Sequence, residues 1–399
     1  MILPLDGITV VDFSQFLSGP LATLKLADLG ARVIKIERPG TGDLCRTLYL
    51  SDTEIGGMNS LFHAINRNKD SFSADLRDPD DRALVSGLVA QADVVVQNFR
   101  PGVIELQGIG YEDVRSIRPN IVYGSISGYG EAGPWVDLPG QDLLAQARSG
   151  LLWLTGSADD PPMPMGLAAA DILAGNALAQ GILAGLVRKA RTGKGGLVQT
   201  SLLEALLDFQ FEVLTTYLND GRRSPRRSAV NGAHAYLGAP YGVYRTADGW
   251  FAIAMTPSLE RLATLMQVPG LERWYGDAKG LLRDRDEIKR IIAKAVETKT
   301  TAHWISVLQP ADIWCAEVSD WPRLLESEAF RRLSMIQNLS GPGVSLQTLR
   351  GPLRVDGEVL TSSKPAPELG ADKARIIEEF GLAAGPEHRT ERRSQRQPR

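Results

Sequence analysis

The chain has 399 residues, 43% of them hydrophobic, enough for two or three domains with a substantial core. A formal net charge of −3 argues against nucleic acid as a main partner. Two cysteines (Cys45, Cys315) make no disulfide framework or metal cluster and point to a reducing cytoplasm, and four histidines (His63, His234, His303, His388) lack any H-x-x-x-H or H-x-H spacing for a metal.

The opening MILPLDGITVVDFS has no basic leader before a long apolar run, so no signal peptide is expected, and no uninterrupted apolar run reaches membrane-spanning length. GITVVDFS reads as an apolar strand ending near Ser14, LATLKLADLG as a short amphipathic helix stopped by Gly30, and ARVIKIE as a second strand before the loop RPGTGD. SFSADL is a weaker third strand, and Pro79 with its aspartates opens a helix over DDRALVSGLVAQA. DVVVQNF and NIVYGSIS are nearly continuous in apolar residues, as strands of a parallel sheet covered on both faces require. Strands alternating with helices of this length predict an open α/β sheet, which binds ligands beyond the C-terminal ends of its strands. The loops SQFLSGP, ERPGTGD, NFRPG and SGYGEAG then share one edge.

Gly128–Gly133, GYGEAG, is a literal G-x-G-x-x-G after a strand. A dinucleotide fingerprint also needs a helix opening on its last glycine and a second strand ending in an acid about 20 residues on. Pro134 and Pro139 keep this stretch a loop, so another role must explain the glycines.

From Gly140 to about Leu218 the pattern turns helical. QDLLAQARSGLLWLTG carries a helix capped by Gly150, and LAAADILAGNALAQGILAGLVRKARTG is a long one. Asp171, Gly175 and Leu178 share a stripe of it, with Gly181 and Gly185 close behind, and small residues at this spacing serve close packing. Asp171 is the only charge between Asp160 and Arg188, and an unpaired carboxylate in an apolar helix is costly. Its place in the first turns lets the helix dipole favour the ionised form; a plain capping role is the alternative.

NDGRRSPRRSAVNG, Asn219 to Gly232, is a polar linker whose Arg222, Arg223, Arg226 and Arg227 read as a solvated run. APYGVYRTADGWFAIAM is a hairpin turning at Asp248-Gly249, and charged helical segments follow to about Leu308. The expected organisation is a large α/β domain over 1–220, a smaller α+β domain over 225–325, and a return to the large domain over 326–385 through IWCAEV and LRGPLRV. Residues 386–399, which lack apolar content, form a disordered tail.

Taken together, LDGITVVDFSQFLSGP, LADLGARVIKIERPGTGD, NRNKDSFSADL, ADVVVQNFRPG, IVYGSISGYGEAGP, QDLLAQARSGLLWLTG and ADILAG…QGILAGL follow the order and spacing of the family III CoA-transferases. The resemblance is dense over about the first 210 residues. It implies a Rossmann-like domain with an open, mostly parallel sheet that holds coenzyme A rather than a nicotinamide, and an interlocked homodimer. The reaction it implies is transfer of CoA from an acyl-CoA donor to a carboxylic acid, with no permanently bound cofactor, metal or membrane partner. The position matching the family's nucleophile is Asp171, which would attack the donor thioester and become an aspartyl-CoA thioester. By the same resemblance, Phe16, Leu17 and Ser18 would fall against the pantetheine and adenosine, Arg38 over the adenine, and Phe72, Asn98 and Phe99 along the same groove. Arg100 and Lys69 are phosphate partners or solvated surface residues. Leu106 stands at a position that is basic in formyl-CoA transferase, and NGAHAYLGAPYG lacks that enzyme's glycine-run loop.

An acyl-CoA racemase is the rival on the same fold. Racemases of this branch pair the helix aspartate with a histidine in a GHD stretch, because exchange of an α-proton between faces takes two acid–base groups. The stretch here is PGQDLL, with Gln141 at the histidine position; Gln141 cannot titrate, and either bonds substrate or braces the loop. A 2-methylacyl-CoA incubated with the protein in deuterated water should therefore gain no α-deuterium above background. Rapid exchange, read by mass spectrometry, would establish the isomerase instead.

Overall fold

The computed structural model describes residues 2–48 and 53–383. The tail expected to be disordered lies outside the described residues. Two compact units divide the chain: Met1–Ala145, Ala168–Leu206 and Arg332–Arg399 form one, and Gln146–Leu167 with Leu207–Arg331 the other. The boundary therefore falls earlier than the polar linker suggested, because the short helices before that linker group with the second unit.

In the first unit the elements run β1 (Thr9–Asp12), α1 (Ser18–Asp28), β2 (Arg32–Glu37), β3 (Asp70–Ser73), α2 (Pro79–Gln91), β4 (Val94–Gln97), β5 (Val122–Ser127), α3 (Asp142–Ser149, which crosses the unit boundary), α4 (Ala169–Thr192) and β6 (Gly196–Ser201). The six strands are all parallel, in the order β3-β2-β1-β4-β5-β6, with Val10 in register with Val33 on one side and Val94 on the other. β6 escaped sequence reading because GLVQTS alternates in exposure as an edge strand does and carries no continuous apolar run. Val11, Ile34, Val95 and Leu88 anchor the core on the α2 side. Asp78 caps α2 by accepting from the N–H groups of Asp80 and Asp81, with Pro79 at its first position.

α4 is long and apolar enough, by length and composition alone, to cross a bilayer, and its buried residues, among them Ala174, Gly175, Leu178 and Ile182, pack it against α1 and the sheet. Its small-residue stripe packs as expected. A methyl on Gly181 would lie 2.5 Å from Val198 Cγ1, one on Gly185 2.9 Å from Val122 Cγ1, and one on Gly175 2.6 Å from the carbonyl oxygen of Ser18. The last contact brings the start of α1 onto the backbone of α4.

Beneath the C-terminal ends of β1 and β2 lies a fully buried ionic cluster. Lys69 Nζ donates to Asp12 Oδ2 (3.1 Å), Pro20 O (2.9 Å), Thr23 Oγ1 (2.8 Å) and Asn66 Oδ1 (2.9 Å). Lys35 Nζ meets Asp43 Oδ2 at 2.8 Å and donates to Ser14 O at 2.7 Å. Burial pushes Lys69 down to about 8, an effect Asp12 offsets only in part. Asp12 is held below its usual value: burial opposes its charge, but Lys69 and Lys35 outweigh that penalty. These ions tie the loop after β1 to the loop after β2.

In the second unit β7 (Gly242–Arg245) and β8 (Trp250–Ile253) form the expected hairpin, and β9 (Cys315–Glu317) pairs antiparallel with β8. The strand in IWCAEV thus completes this sheet instead of leading the chain back. Asp248 at the hairpin turn accepts from the Thr301 N–H at 2.8 Å. Arg227 is not solvated either: it is 8% exposed and donates to the carbonyls of Thr155, Ala158 and Asp160.

Lys69→Met should destabilise the protein by about 3–5 kcal/mol, the cost of stranding one partner of a buried pair. Denaturant titration checks this; a variant as stable as the parent chain would contradict it.

Candidate active site

The strand order reverses between β1 and β4, and in open α/β sheets the crevice beyond that switch point receives the ligand. Asn98, just past β4, clasps the loop after β1. Its Oδ1 accepts from the Gln15 N–H at 2.8 Å, and its Nδ2 donates to Gln15 O at 2.8 Å and to Ser18 Oγ at 3.2 Å. Asp43 Oδ1 accepts from the next amide, Phe16 N–H, at 3.1 Å. Held on both sides, Phe16 takes a left-handed backbone (φ 61°) and remains 46% exposed.

The glycine-rich loop after β5 answers a structural need. Gly128 and Gly140 meet backbone to backbone; a methyl on Gly128 would come within 2.7 Å of the Gly140 Cα. Tyr129 OH donates to Pro139 O at 3.1 Å across the same neck. The loop closes on itself and delivers Gln141 and Asp142 to the sheet edge.

Asp142 then caps α4 from a distance. Ala168, the residue at that helix's N-cap position, has no side-chain acceptor, and Asp142 Oδ1 receives the N–H groups of Ala170 (2.7 Å) and Asp171 (3.3 Å). Asp171, the third residue of α4, therefore does not serve as its N-cap residue. Its half-buried carboxyl is pushed up to about 6, first by burial and second by the negative charge of Asp142; the Ser18 hydroxyl pulls the other way. The helix start was expected to favour the ionised form. Instead its free N–H groups are spent on Asp142, which adds a like charge beside Asp171.

The other expected site residues separate into two groups. Phe16 and Leu17 after β1, Arg38 after β2, and Asn98, Phe99 and Arg100 after β4 all lie past C-terminal strand ends, with Arg38 and Arg100 exposed. Phe72 does not line a groove: it is fully buried in the core, with Lys373 Nζ 5.4 Å from its ring centroid. Lys69 is excluded as a phosphate partner, because its ammonium is fully buried and bonded to four acceptors. Ser18 is only 4% exposed and its hydroxyl is already engaged. Gln141 and Leu106 are exposed. Among the described residues no group of three or more His, Cys, Asp or Glu converges as a metal site.

The first unit belongs to the class of doubly wound α/β folds, with a raised carboxyl on the helix that packs against the loop after β1 as its candidate site. Comparison with known proteins narrows the class. The profile of CoA-transferase family III matches residues 5–373, and the chain belongs to that family. It is 31% identical over 382 residues to a succinyl-CoA:glutarate CoA-transferase of Mus musculus, covering 94% of this chain and 86% of that protein. It is 32% identical over 393 residues to an acetyl-CoA:oxalate CoA-transferase of Acetobacter aceti, covering 96% and 97%. A crystal structure of a CAIB/BAIF family protein from Brucella suis superposes with a TM-score of 0.83 at 30% identity, covering 95% of this chain and all of that one. The protein is a CoA-transferase enzyme.

The raised carboxyl also has a stability consequence. Ordinary aspartate titrates near 3.8 in the unfolded chain and Asp171 near 6 in the fold, so stability falls as pH rises between those values. Asp171→Asn removes the charge at nearly constant volume. It should stabilise the protein by about 1–3 kcal/mol at pH 8, with the gap closing below about pH 4. Melting curves across pH check this; a mutant less stable than wild type at pH 8 would contradict it.

Proposed function

We propose that Asp171 carries the CoA transfer through covalent intermediates. Its carboxylate oxygen attacks the donor thioester carbonyl and the C–S bond breaks, giving a mixed anhydride and CoA thiolate. The thiolate attacks the aspartyl carbonyl, the anhydride C–O bond breaks, and the donor leaves as a free carboxylate. An acceptor carboxylate then attacks the aspartyl-CoA thioester and expels thiolate, which attacks the new anhydride at the acceptor's carbonyl and restores Asp171. No proton changes hands and no metal is required by this sequence of steps.

The observation that carries the reading is the environment of Asp171. A carboxylate titrating near 6 is ionised at neutral pH yet more basic, and so more nucleophilic, than an ordinary one. Backbone N–H groups of the glycine-rich loops supply donors for the oxyanions without side-chain crowding. Short dicarboxylates are the acceptors to try first, because similar proteins are named for glutarate and oxalate. The racemase reading loses further ground, since the acid nearest Asp171 in charge, Asp142, is committed to capping α4.

Incubation with an accepted acyl-CoA, found by screening donors against carboxylic acids, should add the mass of CoA less one water to one peptide containing Asp171. Hydroxylamine should trap the same residue. Asp171→Ala should fold and lose essentially all transfer; wild-type turnover in that variant would end the covalent mechanism for this protein.

A further inference from the structure

Ser18 was expected to touch CoA, but its surroundings assign it another task. We propose that Ser18, locked by Asn98, is a positioning residue for Asp171: its hydroxyl donates toward the carboxylate and aims it into the switch-point crevice. The proposal rests on Asp171 being the nucleophile.

Three observations converge on it. First, α1 and α4 touch at this level. The absent side chain of Gly175, one turn beyond Asp171 on the same face of α4, leaves room for the Ser18 carbonyl, where a methyl would approach to 2.6 Å. Any side chain at 175 would push the start of α1 off α4 and carry the Ser18 hydroxyl away from Asp171.

Second, the direction of the Ser18 proton follows from its neighbours. The Asn98 amide is oriented without ambiguity, because one end faces the Gln15 N–H and the other the Gln15 carbonyl, both at 2.8 Å. The end that reaches Ser18 Oγ, at 3.2 Å, is therefore the nitrogen, a donor. A hydroxyl has one proton and two lone pairs. With Asn98 donating into a lone pair, the proton of Ser18 is free to serve an acceptor, and the Asp171 carboxyl is one within its reach.

Third, Ser18 is 4% exposed, and Asn98 already occupies its oxygen. A buried hydroxyl so engaged is poorly placed to read a cofactor and well placed to act on a neighbouring side chain. Asp171 stands between two opposed influences, the like charge of Asp142 and the donor of Ser18. Asp142 makes the carboxylate more basic; Ser18 favours the ionised form and restricts its rotamer.

The test uses the full chain labelled with 13C aspartate, the Asp171 carboxyl resonance being identified by its loss in Asp171→Asn. In Ser18→Ala the titration midpoint of Asp171 should rise by about 0.5–1 pH unit, because a hydrogen bond to the charged form is gone. Ser18→Thr, which keeps the hydroxyl, should retain the wild-type midpoint wherever its melting curve shows an intact fold. With the best donor and acceptor from the screen, Ser18→Ala should lose about three- to ten-fold in kcat at pH 8 from misorientation, while KM for the acyl-CoA stays unchanged. An unmoved midpoint in Ser18→Ala overturns the proposal. If free CoA also binds more weakly to that variant, Ser18 is a cofactor contact instead. Failure of the nucleophile reading shows separately: wild-type protein would then give no CoA adduct at Asp171, whatever the midpoint does.

Discussion

The first unit depends on one close approach, the start of α1 against the backbone of α4 at Gly175. A helix starting after β1 and a helix ending before β6 can bring backbone against backbone only where one of them lacks a side chain. That contact places Ser18 beside the turn that carries Asp171. Gly181 and Gly185, on an adjoining side of α4, face Val198 and Val122, so small residues seat the helix on both α1 and the sheet. Small residues cost helix propensity, glycine about 1 kcal/mol relative to alanine. Here they gain an interhelical distance that larger side chains would forbid.

The buried ions below the crevice do a different job. Asp12 ends β1, Lys35 lies within β2, Asp43 in the loop after β2 and Lys69 just before β3, and their ion pairs hold together loops that would otherwise be free to move. Desolvating four charges is expensive, and their mutual attraction with the added hydrogen bonds repays that cost only in good geometry. Such a cluster is therefore better understood as fixing loop positions than as a net source of stability. Its effect reaches the surface at Phe16, whose amide is held by Asp43 and which remains exposed beside the crevice.

At the site itself, two acidic residues divide the functions of a helix start. Asp142 takes the free N–H groups of α4, and Asp171 keeps a carboxyl that remains half-buried and raised to about 6. A single aspartate doing both would be stabilised by the helix and correspondingly less basic. Under the proposed mechanism, separating the cap from the nucleophile trades some stability at neutral pH for reactivity, the usual relation between an active site and the fold that carries it.

Much of the first unit was legible in the sequence because its inner strands are buried on both faces and α1 has a clear stop: ARVIKIE, DVVVQNF, NIVYGSIS and Gly30 mark elements through local physics alone. Asp171 also stood out locally, as a lone charge in an Ala/Gly-rich helix. What depends on residues far apart in the chain was not legible. The edge strand β6 has no periodicity that separates it from a loop, and β9 joins its sheet only through pairing with β8. Nothing in SFSADL distinguishes a groove-lining Phe72 from a core one, and nothing in NRNKD shows that Lys69 has four buried acceptors. The cap on α4 comes from Asp142, 28 residues before Ala170, and the clasp on Ser18 from Asn98, 80 residues later. Residue type and spacing determined which groups could do chemistry; tertiary packing alone decided which of them are free to, because burial and hydrogen-bond partners are properties of neighbours that the chain brings together only on folding.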